Sequence, residues 1–502
     1  MRLRDRAALT ACLAALGFGA AGLLAADRVP ASAHLQLAER LYAEARLPEA
    51  LESYRQAVES DVPDVRLTAT SGIVRTLIRM AEFRQAQEAA ANLETLAPDD
   101  PAAIALYGDA LWSAGLFDEA EASYERALAF DPNQAVARRG HAQALAARNQ
   151  LDAALEEALM AQRLAPLESE YHHTVGFIYE RLHRFDDAAA AYGEYVTRLP
   201  PNDRTDKAAW ARSQIRFLRS FRNRVPLEMV ESATDRHTVP FRLRGDKVIV
   251  RGRINGGREL EFVLDTGSEM TMVSRQTAER LDILPVAYTL SAGVGSVGLR
   301  GLQIGRLDEL EFGSLALRNV PVLIKNPELG DLPTREGEGF SPLALGLSMS
   351  VDYGRRELTI GRDLPVTSNA DLELPLRLHR LALVRGTLDG VRPASFVVDT
   401  GGEVISISTA TASSLDRAQQ VRRIPLKVYG TSGWDPEAFL LPGVNLAFDT
   451  LSMPNQALVV LNLRTPSALL GFQVGGIVGH RFLSRYRVDF DLQRSVLRLT
   501  AL

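Results

Sequence analysis

The sequence is almost without cysteine. Cys12 is the single one in 502 residues, so the chain beyond it has no disulfide, no thiolate metal site and no cysteine nucleophile. Its folded parts must be held by their cores alone. A strong charge of either sign is also missing: 57 basic and 62 acidic residues leave a net charge of -5. A nucleic-acid binder carries a basic footprint, so no nucleic acid is expected as a partner. With 46% hydrophobic and 24% charged residues, the chain is neither disordered nor a multi-span membrane protein. The pair His172-His173 lacks metal-ligand spacing and reads as surface. Trp112 and Trp210 read as helix-packing residues, and Arg422-Arg423 as a solvated charge pair. No metal and no cofactor are expected.

One long uncharged run is present. Ala7 to Ala26 follows Arg2, Arg4 and Arg6 and precedes Ala31-Ser32-Ala33. That order is the grammar of an export signal cleaved after Ala33, and the run is also long enough to remain as a single N-terminal membrane anchor. Either way the rest of the chain is expected to be exported, periplasmic or anchored facing that side. Leu9-Thr10-Ala11-Cys12 looks like a lipidation box, but its hydrophobic region follows the cysteine instead of preceding it.

Residues 34–222 are rich in Ala, Leu, Glu and Arg and carry a period. Ala86, Ala120, Ala154 and Ala188 step by 34 from the second onward, Ala50 precedes them by 36, and Pro98, Pro132, Pro166 and Pro200 step by 34 throughout. Each proline stops a second helix, because the residue before it is pushed out of the helical region. Gly108, Leu111, Tyr124 and Ala127 in one unit, and Gly176, Tyr179 and Tyr192 in another, supply small residues for close helix approach and aromatics to fill the gaps. The pattern resembles the tetratricopeptide repeat family at about five units, with 202–224 as a capping helix over the open end. The resemblance implies an all-α solenoid with a groove for a peptide or protein partner. The plainer alternative is a spacer.

From Val225 the texture changes to short alternating strands between turn residues. A second internal repeat lies within it. VRGRINGGRELEFVLDTGSEMTMVS begins at Val250, and VRGTLDGVRPASFVVDTGGEVISIS begins at Val384, an ungapped offset of 134. Asp265 matches Asp399, Glu269 matches Glu403, and Ser274 matches Ser408. Asn255-Gly256 and Asp389-Gly390 are hairpin-turn dipeptides. Each copy reads as strand, tight turn, strand, Asp-Thr-Gly, strand and short helix, the helices being 275–281 and 409–415.

Two Asp-Thr-Gly triplets in matched settings resemble the aspartic peptidases of the retropepsin and pepsin kind, over about Val239 to Leu499. The expected organisation is a leader over 1–33, repeats over 34–224, a first all-β lobe over 225–365 and a second over 366–502. The two lobes would form the catalytic pseudo-dimer within one chain. The resemblance implies that Asp265 and Asp399 share one proton and activate a water against a peptide bond. Thr266 and Thr400 would lock the two loops together. Gly267 and Gly401 would leave room for N–H groups to approach the carboxylates, and Ser268 would donate to Asp265. Gly402 replaces that hydroxyl in the second copy.

The family also needs flaps, mobile hairpins that close over substrate. Gly293, Gly295, Ser296 and Gly298 provide one tip, and Tyr429, Gly430 and Thr431, a stretch similar to the pepsin flap, provide the other. Gly293 to Gly298 also matches G-x-G-x-x-G, but a dinucleotide site needs a helix directly after it, and 299–312 reads as strands. Behind each catalytic loop a hydrophobic-hydrophobic-glycine motif is expected. Ile477-Val478-Gly479 supplies it in the second copy; in the first it is altered to Phe340-Ser341-Pro342-Leu343-Ala344-Leu345-Gly346, so that either Leu345-Gly346 serves with a shorter connection or the motif is degraded. The implied function is an aspartic endopeptidase acting on peptide or protein substrates. The alternatives are an inactive protease-like peptide-binding module or a repeat-based scaffold in the export compartment.

Overall fold

A computed structural model describes residues 30–502 apart from 201, 202, 204, 231–233, 296, 297, 326–336, 366–368 and 417–422. The expected leader lies almost wholly outside the described residues, as do Ser296 and Arg422. Among the described residues no helix is long and apolar enough to cross a membrane. The chain divides into two compact units, one ending at Thr76 and one beginning at Leu77.

The first unit holds the helix pair Ala31–Ala43 and Leu47–Val58 and most of the helix Pro63–Arg79. Ala38, Ala50, Tyr54, Ala57 and Ala69 form its core. Gly72 lets its helix close on Tyr54, since a Cβ there would lie 2.2 Å from the ring.

The second unit continues with Phe83–Leu96 and then three helix pairs: Pro101–Ser113 with Phe117–Phe130, Ala135–Ala147 with Leu151–Leu164, and Ser169–Arg181 with Phe185–Arg198. Asp206–Arg219 follows as a lone last helix. The periodic alanines Ala86, Ala120, Ala154 and Ala188 are wholly buried, because each sits where the second helix of a pair crosses the first. The histidine expectation is corrected here. His172 is buried, its ring 2.6 Å from the Gln162 amide and 2.9 Å from the Pro166 carbonyl. His173 packs against Tyr192, Tyr195 and Trp210. Its neighbours fill the inter-helix gaps, so neither imidazole reaches out to solvent as the sequence suggested.

From Glu228 the chain is built of strands with short helices between them. The two copies use the same ladder. In the first, Lys247–Ile254 pairs antiparallel with Leu260–Leu264, which pairs parallel with Glu338–Phe340. In the second, Leu381–Leu388, Arg392–Val398 and Gly476–Val478 repeat those pairings. The turns pass through positive φ at Asn255, Gly256, Asp389 and Gly390, which is what the Asn-Gly and Asp-Gly dipeptides favour. The helices Arg275–Arg280 and Thr409–Ser413 are capped by the Ser274 and Ser408 side chains.

A six-stranded ladder joins the copies. Its order is Leu372–Pro375, Val496–Ala501, Tyr486–Asp491, Ser348–Asp352, Glu357–Gly361 and Arg236–Arg244. The pairing of Ser348–Asp352 with Tyr486–Asp491 crosses from one copy to the other. One apolar core, including Phe262, Phe340, Val351, Phe396, Phe448 and Val488, therefore serves both.

The repeats of this second unit pack on the lobes. Trp112 and Phe117 share a buried cluster with Leu383, Leu461, Leu470 and Phe472. Phe185, Tyr192, Phe217 and Phe221 share another with Ala287 and Ile304. Arg377, itself buried, reaches Asp118 at 2.5 Å and Glu121 at 2.8 Å. Ser395 donates its hydroxyl to the Gly115 carbonyl at 2.6 Å. A Cβ on Gly115 would sit 2.7 Å from the Gln473 carbonyl oxygen. That contact explains a glycine at a turn position where the other pairs have Ala81, Asn149 and His183 in the same left-handed conformation. Part of the array's surface is thus taken up by the chain's own lobes.

Candidate active site

Asp265 and Asp399 stand at the ends of Leu260–Leu264 and Arg392–Val398. Each is held there by its own backbone. The Asp265 N–H donates to the Phe340 carbonyl at 2.9 Å, and the Asp399 N–H donates to the Val478 carbonyl at 2.9 Å. These equivalent bonds correct the sequence expectation for the first copy. Gly339-Phe340-Ser341, not Leu345-Gly346, occupies the place of Ile477-Val478-Gly479. The ladder requires a strand parallel to Leu260–Leu264, and Leu343–Leu345 is already a 3-10 turn ending in left-handed Gly346. Glu338 completes the substitution. Its buried carboxylate accepts from the Ser274 N–H at 2.7 Å and from the Thr277 hydroxyl. In the second copy the Gly475 carbonyl accepts the same two bonds from Ser408 and Thr411.

The threonines interlock. The Thr266 hydroxyl donates to the Val398 carbonyl at 2.6 Å and accepts the Thr400 N–H at 3.0 Å. The Thr400 hydroxyl donates to the Leu264 carbonyl at 2.8 Å and accepts the Thr266 N–H at 3.2 Å. All four bonds are buried and cross between the lobes, so each loop is positioned by the other. The carboxyls are brought together as a result, since a Cβ on Gly401 would lie 2.7 Å from Asp265 Oδ1 and 3.1 Å from Asp399 Oδ1. Gly267 and Gly401 make that approach possible. A Cβ on Gly267 would lie 2.5 Å from the Asp399 carboxyl carbon, and one on Gly401 would lie 2.7 Å from Asp265 Oδ1.

The electrostatics are unequal. Burial and the neighbouring Asp399 push the Asp265 carboxyl up to about 7. Burial also pushes Asp399 up, against the hydrogen bond from the Gly401 N–H at 2.8 Å and the field of Lys247. Asp265 receives one backbone bond, from Gly267 at 3.0 Å. Its expected second donor is absent from that role, because the Ser268 hydroxyl donates to the Met270 carbonyl at 2.7 Å instead. Two buried carboxyls this close cannot both ionise comfortably, so the pair shares one proton. The titration belongs to the pair.

The two glycine-rich tips meet. Ala287–Ala292 and Leu299–Phe312 form one hairpin, and Val428–Gly430 with Gly433–Asp435 forms the other. The Gly293 N–H donates to the Ser432 hydroxyl at 3.1 Å, and the Ser432 N–H donates to the Val294 carbonyl at 2.9 Å. Gly295 and Thr431 lie in the same contact. Gly298 has positive φ and nothing within 4 Å of a would-be Cβ, so it belongs to the turn and not to the contact. Tyr429 is exposed and pairs across its hairpin with Trp434. The strand Leu299–Phe312 after the glycines is continuous, which rules out a dinucleotide turn there.

The sequence reading missed three charged residues. Lys247 donates its ammonium to the Gly401 carbonyl. Lys325, donating to the Gly337 carbonyl at 3.0 Å, also acts on Asp265. Arg380 of the second copy pairs with Glu269, two residues beyond Gly267. The 134-residue offset carried a signal for the first, since Lys247 falls opposite Leu381. Among the described residues no cluster of His, Cys, Asp and Glu could hold a metal ion.

Comparison with known proteins bears on both halves of the chain. Residues 250–348 and 384–478 match the aspartyl protease family, and residues 72–135 and 108–169 match the tetratricopeptide repeat family. Among solved structures, the chain is similar to a thermophilic tetratricopeptide-repeat protein of Thermus thermophilus, at 20% identity over 34% of this chain and 93% of that one, with a TM-score of 0.30. It is also similar to a tetratricopeptide repeat protein of Parabacteroides merdae, at 18% identity over 39% of this chain and 74% of that one, with a TM-score of 0.30. None of the curated proteins matches it.

Proposed function

From a chain that joins tetratricopeptide repeats to two segments of the aspartyl protease family, we propose an aspartic endopeptidase that cuts peptide bonds with the Asp265–Asp399 pair. The observation that carries this reading is the threonine interlock that brings the two carboxyls against one residue, Gly401. A water bridging the pair gives a proton to ionised Asp399, and its oxygen adds to the scissile carbonyl. Protonated Asp265 passes its proton to the carbonyl oxygen as that bond forms. Collapse of the tetrahedral species breaks the carbon–nitrogen bond. Asp399 then returns its proton to the leaving amine, while Asp265 recovers one from a hydroxyl of the adduct. Both residues end as they began. The hairpins whose tips touch are the candidates for the water-excluding cover such chemistry needs.

The test is cleavage of a fluorogenic peptide library by the purified full chain between pH 4 and 7. Asp265→Asn and Asp399→Asn are each expected to lower the rate by about a hundred- to ten-thousand-fold. Activity per molecule should not change on dilution, because both carboxyls lie in one chain. Retained cleavage in either variant would sink the reading. Peptides bound but left whole by the wild-type protein would assign the lobes as a peptide-binding module.

A further inference from the structure

We propose that Lys247 is a positioning residue for the carboxyl pair: a cation that one lobe lends across the pseudo-two-fold axis to hold the pair's single negative charge and the Gly401 loop beside it. The inference rests on the reading of Asp265 and Asp399 as one proton-sharing pair, the pair to which the proposed function assigns cleavage.

The geometry begins at Gly401. This residue touches both carboxyls, for a Cβ on it would lie 2.7 Å from Asp265 Oδ1 and 3.1 Å from Asp399 Oδ1. Its N–H donates to Asp399 at 2.8 Å. Its carbonyl, one peptide further along, accepts from Lys247. The lysine opens the strand Lys247–Ile254 of the first lobe, whereas Gly401 belongs to the second. Lys247 is therefore bonded to the far loop, one residue away from either carboxyl.

The contact exists on one side only. The offset that superposes the two copies puts Leu381 where Lys247 stands, so the equivalent side chain has no donor to offer the Gly267 loop. A hydrogen bond alone could be supplied by any neutral donor. A cation is different, because two buried carboxyls sharing one charge are stabilised in the ionised state by a positive neighbour. Lys247 acts in that sense on both Asp265 and Asp399.

Other charges face the same place. Lys325, at the end of Leu315–Ile324, acts on Asp265. His480, whose backbone N–H donates to the Gly402 carbonyl at 2.8 Å, is held below the ordinary imidazole range by burial, with Asp246 opposing and Lys247 adding to the shift. Asp246 beside Lys247 is paired with Arg481 at 3.1 Å. Arg380 is taken up by Glu269. Among these groups Lys247 acts on both carboxyls.

The test compares Lys247→Gln, which keeps a donor without the charge, with Lys247→Met and Lys247→Arg in the full chain. Two readouts are taken: the pH dependence of peptide cleavage, and carbon-13 NMR titration of labelled aspartate carboxyls assigned through Asp265→Asn and Asp399→Asn. Both neutral variants should move the carboxyl midpoint and the acidic limb of the rate profile upward by about one pH unit or more, and Lys247→Arg should return them. An even loss of rate at every pH with an unmoved midpoint would reduce Lys247 to a loop anchor and overturn the inference. If wild-type protein cleaves nothing yet the midpoint moves, the inference stands and the peptidase reading fails.

Discussion

Asp265, pushed from the ordinary 3.8 to about 7 by burial and by Asp399, binds its proton more tightly in the folded chain than in the unfolded one. Its contribution to stability is therefore fully present below about pH 4 and is lost as the pH rises through 7. Asp265→Asn removes that dependence. Thermal denaturation of the two proteins should show the variant gaining on the wild type between pH 4 and 7, and running parallel above that range. A gap that does not vary with pH would mean the carboxyl is not held protonated. At this scale the sequence was readable wherever the two copies agree. The offset and the paired Asp-Thr-Gly triplets pointed to Asp265, Thr266, Gly267 and their partners in the second copy. Ser268 was misread because the direction of a hydroxyl depends on where the Met270 carbonyl turns, which no spacing encodes. Lys247 was overlooked because it breaks the repeat instead of keeping it.

The hairpins illustrate the same limit at the scale of elements. Their glycines were visible in sequence, and their strands follow from alternation, but nothing in either copy says that the tips touch. In the structure a Cβ on Gly430 would fall 2.2 Å from the Val294 carbonyl oxygen. Overpacking of this kind costs about 1–3 kcal/mol, so Gly430→Ala should part the tips. The expected outcome is a peptide KM raised roughly tenfold, the change that about 1.4 kcal/mol represents, with the carboxyl titration left in place. An unchanged KM would show that the tip contact does not govern substrate retention. The segment behind the first catalytic loop was harder to read. A search for two hydrophobic residues and a glycine led to Leu345-Gly346. The strand instead uses Gly339-Phe340-Ser341, with Glu338 replacing a backbone carbonyl by a side-chain carboxylate. A function moved from backbone to side chain leaves no motif behind.

For the whole molecule, two architectures were legible and their junction was not. Period and composition separated helices from strands near Val225, yet everything from Leu77 onward is one compact unit. Arg377 is the clearest tie, with Asp118 and Glu121 on its guanidinium. Arg377→Leu should destabilise this unit by about 2–3 kcal/mol, less than the ~3–5 of a fully buried pair, because Arg148 still holds Glu121 at 2.6 Å. Helical circular dichroism and near-ultraviolet signals should fall together and at a lower temperature than in the wild type. Lobes that melt separately from the helices over 101–219 in the wild-type protein would contradict the shared unit.

The unequal halves have a consequence for the chain that would lie between them. A peptide has a head and a tail, and a site made of two identical halves meets it the same way in either orientation. Here one side offers Lys247 and Ser268, and the other offers Leu381 and Gly402. Two orientations of one peptide therefore become two different complexes. On the proposed peptidase reading one orientation is therefore expected to be preferred, with the residues before the cut meeting one lobe and those after it meeting the other.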